Sequence, residues 1–486
     1  MVLRTAGTQR RQRRRRLRYR LSRGGASRTA GDRRSRQRRG RCAAGRRHGP
    51  LDRRQRRAGA DACAHASADR PALGALAGFD RPPPRAGLLH LEPYRETLGR
   101  APRLVERDSA AVLRVAFVDQ TGDDAGGAEE SLTLLLRNLP ADIDPLVLLF
   151  HDGAYAQRLR ALGLRTAILP VGTAISNSTR EHPRVAGALG VPGAALQLAR
   201  RLRRERIDAV HTNTLKAHVV GASAARLAGI PCVVHLRDIL EGSARLALRI
   251  VAAACSRERI AISQAVARAY ALPRTEVVPN PLDLGAASAL PARAQARALL
   301  NLPQGVPLLG MIGRINRWKG HDRFLRAAAA VLRETAAHFA IVGAPLFRDA
   351  DFVAELHTLV QDLRIAAHVT FLPWMADPRP AYAALDVLCN CSTREPFGRS
   401  SLEAAAARVP TICFDDGGTA ELIVDGESGL VVPAGDEDAL AHAMLAFARD
   451  ERLRCAAGLA AQALLPRYDA RSHAGSVAAI LRRAAA

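Results

Sequence analysis

Two glutamates in the second half of the chain, Glu395 and Glu403, stand eight positions apart in the stretch Glu-Pro-Phe-Gly-Arg-Ser-Ser-Leu-Glu. The first falls in a loop after an apolar strand pattern, and the second falls inside the helix that follows. Carboxylates in such places accept hydrogen bonds from the paired hydroxyls of a sugar. Gly398 lies between them and lets the backbone approach a ligand, and its amide stands at a helix N-terminus, which favours an anion. The pattern predicts a sugar-phosphate site, although a glutamate on the helix dipole beside a surface glutamate would produce the same spacing.

A second pair of charged residues stands five positions apart, with Arg314 at the end of a strand pattern and Lys319 at the predicted start of the helix that follows. A guanidinium fork and a point charge together can neutralise a diphosphate leaving group. The chain has 72 basic residues and only two lysines, Lys216 and Lys319. In so arginine-rich a sequence, a retained lysine indicates a site that needs a compact ammonium. The alternative is a structural arginine beside an exposed lysine.

Polar side chains also end two predicted strands in the first half of the chain. They are His211, Asn213 and Lys216 at the first strand and His235 and Arg237 at the second. Ligands of parallel sheets bind beyond the carboxyl ends of the strands, so a histidine at this edge is expected to face a cleft. Each histidine taken alone is equally compatible with an ordinary buried side chain.

Four motifs together resemble those of family 4 of the retaining glycosyltransferases, which have the GT-B fold. The motifs are Glu395-Pro-Phe397-Gly398 to Glu403-Ala, Gly313-Arg314 to Lys319-Gly320, Gly417-Gly418 to Glu421 to Gly426 to Gly429, and Gly126-Gly127-Ala128-Glu129. The resemblance extends over about residues 113–465, and residues 1–108 have no counterpart in it.

The resemblance implies an α/β architecture of two facing Rossmann-like domains with parallel sheets and an interdomain cleft that binds a nucleotide sugar. It implies transfer of a hexosyl unit from a nucleoside diphosphate to an acceptor hydroxyl with retention of configuration. Arg314 and Lys319 are then expected to stabilise the leaving diphosphate, and Glu403 to hold the ribose hydroxyls. The other implied donor contacts are Glu395, the amides of Phe397 and Gly398, the loop residues Gly126 and Gly127, and His235 beside the reacting centre. The implied acceptor-side residues are His211, Asn213, Lys216 and Arg237.

The family also implies a saccharide or lipid-linked acceptor, in polysaccharide, lipopolysaccharide or glycolipid biosynthesis. The expected location is the cytoplasm with peripheral association at the inner membrane face, because the sequence shows no secretory signal and no apolar run of about 18 residues. No D-x-D motif stands where a metal–diphosphate site would be expected, which predicts catalysis without a divalent metal, and no cofactor is expected. A sugar-nucleotide epimerase and an inverting transferase of the same fold stay open as alternatives.

Short aliphatic runs alternate with amphipathic stretches from Leu113 onward, which predicts a parallel, doubly wound sheet. The alternation breaks at Pro279-Asn280-Pro281, and a second series of the same kind follows. The predicted domains are therefore 109–283 and 284–486, to which the resemblance assigns the acceptor and the nucleotide sugar, respectively. Asn280 marks the hinge between them, and a buried structural asparagine is an equal alternative there.

Residues 1–60 contain 23 arginines and two acidic residues, and they contribute +21 of the formal net charge of +26. Such a segment buries too little apolar surface to offset its ordering entropy. Residues 1–108 are therefore predicted to be a disordered extension or a translation from too early a start, with Val105, Val112 or Leu113 as later starts. The alternative function is RNA binding through this arginine-rich arm. Because the rest of the chain is close to neutral, no specific nucleic acid is expected as a partner.

Overall fold

A parallel seven-stranded sheet forms the first half of the structure. The computed structural model describes residues 112–123, 126–172, 185–287, 289–345 and 349–486, so the predicted extension over 1–108 lies outside the described residues. The strands are β1 Leu113–Asp119, β2 Ile143–Leu149, β3 Arg165–Ile168, β4 Ala209–Thr212, β5 Cys232–Leu236, β6 Glu258–Ala261 and β7 Thr275–Val277. Their order in the sheet is β3-β2-β1-β4-β5-β6-β7, so the chain reverses direction across the sheet between β1 and β4.

Helices cover both faces of this first sheet. They are α1 Gly127–Arg137, α2 Ala154–Ala161, α3 Val185–Arg204, α4 Leu215–Ala228, α5 Gly242–Cys255 and α6 Gln264–Tyr270. Helices α3 to α6 pack on the face that carries Val118 and Val234, whereas α1 and α2 pack on the opposite face with Phe117 and Val233. Alternate residues of each strand thus supply two apolar layers, as expected for a parallel sheet buried on both sides.

The second half contains a six-stranded parallel sheet of order β10-β9-β8-β11-β12-β13. Its strands are β8 Leu308–Ile312, β9 His338–Val342, β10 Val369–Leu372, β11 Val387–Asn390, β12 Thr411–Phe414 and β13 Gly429–Val432. The helices of this half are α7 Leu284–Ala287, α8 Arg293–Leu299, α9 His321–Leu332, α10 Ala350–Asp362, α11 Arg379–Ala384, α12 Arg399–Ala406, α13 Glu437–Arg449, α14 Glu451–Ala463 and α15 Ala470–Ala485. The reversal in this sheet lies between β8 and β11.

Local sequence explains these elements. The second-half strands are short and largely apolar, as in Leu-Leu-Gly-Met-Ile of β8. Helix α9 buries Phe324, Leu325 and Val331 along one side, which is the spacing of an amphipathic helix. Asp436 and Asp450 begin α13 and α14 by accepting a hydrogen bond from a backbone amide in the first turn. The predicted α/β fold with two parallel sheets is confirmed.

The structure corrects the predicted start of one helix. Lys319 was expected to begin the helix after β8, but Arg317–Lys319 forms a short 3-10 turn and α9 begins at His321. The break is Gly320, whose φ is +73° and whose added Cβ would lie 2.3 Å from the carbonyl oxygen of Cys391. A side chain does not fit there, so the turn and the helix stay separate.

The last helix corrects the predicted domain boundary. Residues 284–486 were assigned as a unit to the second domain, yet α15 packs against the first sheet. Its Val477, Ile480 and Leu481 share an apolar cluster with strand and helix residues of the first half. The guanidinium of Arg482 forms an ion pair with Asp142 at 2.7 Å. The chain therefore returns to the first domain at its last helix.

Candidate active site at the interdomain cleft

The switch point of the second sheet brings Lys319 and Glu395 together. Lys319 follows β8 and Glu395 follows β11, and these two strands are neighbours in the sheet. The Lys319 Nζ donates to Glu395 Oε2 at 2.5 Å and lies 4.3 Å from the centre of the Trp318 ring. Ligands of doubly wound sheets bind at such a crevice beyond the strand ends. Arg314, on the same loop as Lys319, is exposed.

Glu403 lies on the first turns of α12 and has two partners. The Tyr382 hydroxyl donates to its Oε2 at 2.5 Å, and the Arg399 Nη2 donates to its Oε1 at 3.1 Å. Burial, and then the neighbouring Glu403 carboxylate, raise the pKa of Tyr382 well above its usual value. Tyr382 is therefore a neutral donor, and both predicted sugar-binding carboxylates are held by partners in the second domain.

The loop between these glutamates needs glycine at one position. Gly398 has a φ of +91° and precedes α12 directly. A Cβ added there would lie 2.4 Å from the Thr419 Oγ1. Glycine thus turns the backbone sharply enough to begin the helix while Phe397 stays buried in an apolar cluster that includes residues of both domains.

The same loop contacts the first domain. The Ser263 hydroxyl donates to the carbonyl oxygen of Pro396 at 2.7 Å, and the Arg399 Nη1 donates to the Ser131 Oγ at 3.3 Å. The amides of Gln264 and Ala265 donate to the Glu421 carboxylate at 2.8 and 2.7 Å. The predicted donor-binding motif therefore lies against the first domain rather than standing free.

A chain of buried hydrogen bonds crosses the carboxyl edge of the first sheet. The Asn213 Nδ2 donates to Asp119 Oδ2 at 2.6 Å, and the Arg237 Nε donates to Asn213 Oδ1 at 2.7 Å. The Arg237 Nη1 then donates to Asn280 Oδ1 at 2.5 Å. These residues follow or end β1, β4 and β5 and reach the predicted hinge, so the chain links the switch point to the connection between the domains.

Burial shifts the pKa values of the two ionisable residues in this series of hydrogen bonds. Burial first, and the Glu129 carboxylate second, raise the pKa of Asp119 to about 7, against the donors Asn213 and Thr214. Burial also lowers the pKa of Arg237 to about 10. Perturbed groups at a strand edge are typical of functional sites, although structural networks produce them as well.

The two predicted histidines lie within strands and have no accessible surface. His211 is in β4 and His235 in β5, and both rings are fully buried. We expected these histidines to face a cleft, and this is wrong because neither ring is exposed. The residues that leave the strand ends here are Asn213 and Arg237. Whether either histidine takes part in catalysis stays a prediction.

Their contacts set the tautomers. The Arg237 Nη2 lies 3.3 Å from His235 Nδ1, so that nitrogen accepts, and His211 Nε2 donates to it at 3.1 Å. Burial, followed by the Arg237 charge, lowers the pKa of both rings well below the usual value, which keeps them neutral. Within the described residues, His235 Nε2 and His211 Nδ1 have no hydrogen-bond partner.

The predicted glycine loop and Lys216 lie at the same edge. Gly126 precedes α1, and its amide donates to Glu129 Oε2 at 2.8 Å. Gly127 faces Arg399 closely, since an added Cβ would lie 3.3 Å from the arginine Cδ. Lys216 is in the first turn of α4, and burial lowers the pKa of its half-buried ammonium.

Sequence reasoning missed three contributors to this arrangement. Asp119 is the last residue of β1, and an acidic residue after a buried apolar run was the available signal. Arg399 lies inside the glutamate motif, but its position there predicts no particular role. Tyr382 lies on a short helix that carries no motif. For metals, the described residues contain no group of three or more His, Cys, Asp or Glu side chains placed to hold an ion.

Two family comparisons match successive parts of the chain. The family described as "Glycosyl transferases group 1" matches residues 292–463, and "Glycosyltransferase Family 4" matches residues 125–286. Together they span most of the chain, and residues 287–291 lie between them. The chain belongs to this glycosyltransferase family, and its two sheets form the GT-B fold.

Solved and curated relatives agree with the family. The structure of Anabaena HepE in complex with UDP and glucose is 26% identical, with a TM-score of 0.66, and covers 76% of this chain and 100% of that protein. The D-inositol 3-phosphate glycosyltransferase of Nocardia farcinica is 36% identical over 33% of this chain and 37% of its own length. The UDP-Gal:alpha-D-GlcNAc-diphosphoundecaprenol alpha-1,3-galactosyltransferase of Escherichia coli is 27% identical over 53% of this chain and 70% of its own length. The matches to the first curated relatives thus span only about a third to a half of those proteins.

None of the described helices is both long and apolar enough to span a membrane.

Proposed function

We propose that this protein transfers a hexosyl unit from a nucleoside diphosphate sugar to an acceptor hydroxyl with retention of configuration. The observation that carries the proposal is the ion pair of Lys319 with Glu395 at the switch point of the second sheet, followed by a helix that carries Glu403 and contacts the first domain through Arg399. An ammonium with a carboxylate partner, a helix N-terminus and a second carboxylate on that helix suit a ligand that combines hydroxyls with a diphosphate.

Each group has a proposed task. Lys319 and the exposed Arg314 neutralise the charge that grows on the leaving diphosphate. Glu403 accepts hydrogen bonds from the ribose hydroxyls, and Glu395 from those of the donor sugar. Because Lys319 already holds Glu395, binding of the donor exchanges a protein ion pair for contacts to diphosphate and sugar.

Retention requires attack on the face that the diphosphate leaves. The bond between the anomeric carbon and the phosphate oxygen breaks as the acceptor oxygen bonds to that carbon, and the acceptor proton passes to the departing phosphate. No protein base is needed for this route. Arg237 and Asn213 organise the facing edge, where the acceptor enters.

The relatives guide the choice of substrates. HepE was solved with UDP and glucose, and the Escherichia coli relative is named for UDP-galactose and a diphosphoundecaprenol-linked sugar. We therefore propose a UDP-hexose donor and a saccharide or lipid-linked saccharide acceptor.

The proposal is tested by a thermal-shift panel of UDP-, GDP- and ADP-sugars with the wild-type chain and Glu403→Gln. Only a ligand that binds the native state raises the unfolding midpoint. A UDP-sugar is expected to raise it, and Glu403→Gln is expected to weaken donor binding by roughly 10-fold through loss of a charged hydrogen bond. No shift with any donor contradicts the proposal, and an inverted anomeric coupling in the product, read by NMR, contradicts retention.

Metal independence is a further part of the proposal. Transfer is expected to proceed at an unchanged rate in EDTA, because Lys319 and Arg314 supply the charge that a divalent ion would otherwise provide. Loss of activity in EDTA with recovery in Mg²⁺ or Mn²⁺ would show that these cations have another role.

A further inference from the structure

The chain crosses between the two sheets twice, and the two crossings are bonded to each other. The outgoing crossing, residues 279–282, lies just after β7, and the returning crossing, residues 468–469, directly precedes α15. The amide of Leu282 donates to the carbonyl oxygen of Tyr468 at 2.8 Å, and Leu282 pairs with Asp469 in a parallel bridge. The crossings therefore form one connection, and a side chain that holds either of them affects how the two sheets face each other.

Two side chains hold the outgoing crossing. Arg237 donates to Asn280, as described above. His473, in the first turn of α15, has its Nδ1 2.8 Å from the carbonyl oxygen of Pro279. Burial, and then the Arg237 charge, lower the pKa of His473 to about 3, against the bond to Pro279, so the ring is neutral. Because a carbonyl oxygen only accepts, Nδ1 carries the proton and donates it to this bond.

The remainder of the His473 ring is buried without a polar contact. Within the part of the chain that the structure describes, its Nε2 has no hydrogen-bond partner, and the residue is 5% exposed. A buried acceptor without a donor lowers stability, so packing alone favours an apolar side chain at this position. The bond from Nδ1 to Pro279 is the contact that a histidine provides and an apolar residue does not.

These contacts link the connection to the carboxyl edge of the first sheet. The His473 and His235 rings have their centres 6.1 Å apart, and His235 Nδ1 accepts from Arg237. Arg237 also donates to Asn280. Asn280 directly follows Pro279, whose carbonyl His473 holds. The five residues close a circuit of contacts, so a displaced crossing also displaces Arg237.

We propose that His473 is a positioning residue for the transfer reaction, acting through the bond between its Nδ1 and Pro279. The inference rests on the proposed function for its link to catalysis. Because its ring is buried, His473 acts on the placement of the two sheets and not on the substrates themselves. The proposed donor contacts lie in the second domain, so loss of the bond is expected to shift the acceptor side relative to a donor that still binds. A displacement of about 1 Å can lower the rate by roughly 100-fold.

Two substitutions of His473 separate the hydrogen bond from the space that the ring fills. In His473→Asn the amide nitrogen is one bond from Cγ, as Nδ1 is in histidine, so the donor to Pro279 is retained. In His473→Gln the amide is one bond farther out, and that donor is lost. The control is Val477→Ala, one turn farther along α15, which removes fully buried packing but no hydrogen bond to the connection. Its cost is expected in stability alone.

Hydrogen exchange read by mass spectrometry and steady-state kinetics are measured on the full chain. His473→Gln is expected to speed exchange of the Leu282 amide about 10-fold, because the crossing opens more often. With UDP-glucose as donor and octyl glucoside as the acceptor probe, it is expected to lower kcat about 10-fold while the donor KM stays within about twofold. His473→Asn is expected to remain within about twofold of the wild type in both measurements, and Val477→Ala to lower only the unfolding midpoint.

Unchanged Leu282 exchange in His473→Gln overturns the inference, whichever substrates the protein uses. Equal losses in His473→Asn and His473→Gln also overturn it, because they would show that the Nδ1 bond does not matter. A kcat loss in Val477→Ala like that of His473→Gln overturns it as well, since packing alone would then account for the effect.

The two proposals fail separately. The donor-induced thermal shift of the wild type does not involve His473. Its absence rejects the proposed function and leaves the Leu282 exchange to decide whether His473 holds the connection. A retained donor shift with wild-type kcat in His473→Gln rejects the positioning role alone.

Discussion

The polar side chains at the carboxyl edges of the two sheets differ in exposure, because those of the first sheet are buried and those of the second sheet are accessible to solvent. At the first edge, Asp119, Asn213 and Arg237 are buried and bonded to one another. At the second edge, Arg314 is exposed, and Lys319 and Glu403 keep 22% and 25% of their side-chain surface accessible. The same strand topology therefore produces a buried edge, where Asp119, Asn213 and Arg237 bond to one another, and an accessible edge, which we propose binds the donor.

The largest expected effect comes from the accessible edge. Lys319→Met removes the ammonium nearest Glu395 and is expected to lower kcat by roughly 100- to 1000-fold, the usual loss when one charge-stabilising donor is removed. Steady-state kinetics with a UDP-sugar measure it. The control is Arg317→Met, a cation two positions earlier that forms an exposed pair with Glu355. Comparable losses in both variants would mean that the loop fold, rather than the Lys319 charge, matters.

A substitution at the buried edge of the first sheet is expected to lower the stability of the protein. Arg237→Met leaves acceptors on Asn213, Asn280 and His235 without their donor, and is expected to lower the unfolding free energy by about 3 kcal/mol. Thermal denaturation should show a midpoint lower by roughly 4 °C, with the donor-induced shift retained. The exposed Arg333→Met provides the control and is expected to change stability by no more than about 0.5 kcal/mol. If folded Arg237→Met no longer shows the donor-induced shift, the buried edge also contributes to donor binding, and the proposed difference between the two edges is wrong.

The smallest effect is expected at Arg399, where the second domain contacts the first domain. Arg399 holds Glu403 and reaches Ser131 on α1, so Arg399→Gln is expected to raise the donor KM about 10-fold while kcat changes little. Arg399→Lys is expected to recover part of the loss. The control is Arg408→Gln, just beyond the other end of the same helix, where the guanidinium bonds to Gln462.

A double-mutant cycle sharpens this comparison. If Arg399 acts across the domains, the effects of Arg399→Gln and Ser131→Ala on donor KM should not add. Additive effects would place the whole role of Arg399 within the second domain.

Much of the fold was predictable because the strands are buried on both faces. The short aliphatic runs predicted from Leu113 onward include the buried strands Cys232–Leu236 and Thr411–Phe414, because a continuous apolar run is a strong local signal. The glutamate spacing was equally local. Glu395 lies before the helix and Glu403 lies within it, as the eight-residue separation indicates.

The exposure of His211 and His235 was not predictable in the same way. Successive side chains of a strand point to opposite faces, and a position near a strand end reads alike whether it is the last paired residue or the first loop residue. The histidines lie two residues before Asn213 and Arg237, inside β4 and β5, so they stay buried while Asn213 and Arg237 leave the strand ends.

The sequence by itself determined the two strand–helix series and the placement of Glu395 before a helix and Glu403 within it, because each depends on residues close together in the chain. Only the tertiary structure decided that Lys319 meets Glu395, 76 positions away, and that Arg399 reaches Ser131, 268 positions away. It also decided that the last helix packs on the first domain, where Ile480 and Leu481 are fully buried. The physical reason is that hydrophobic periodicity specifies which side of an element is buried but not which element covers it. That choice follows from strand order and from the closure of the two domains.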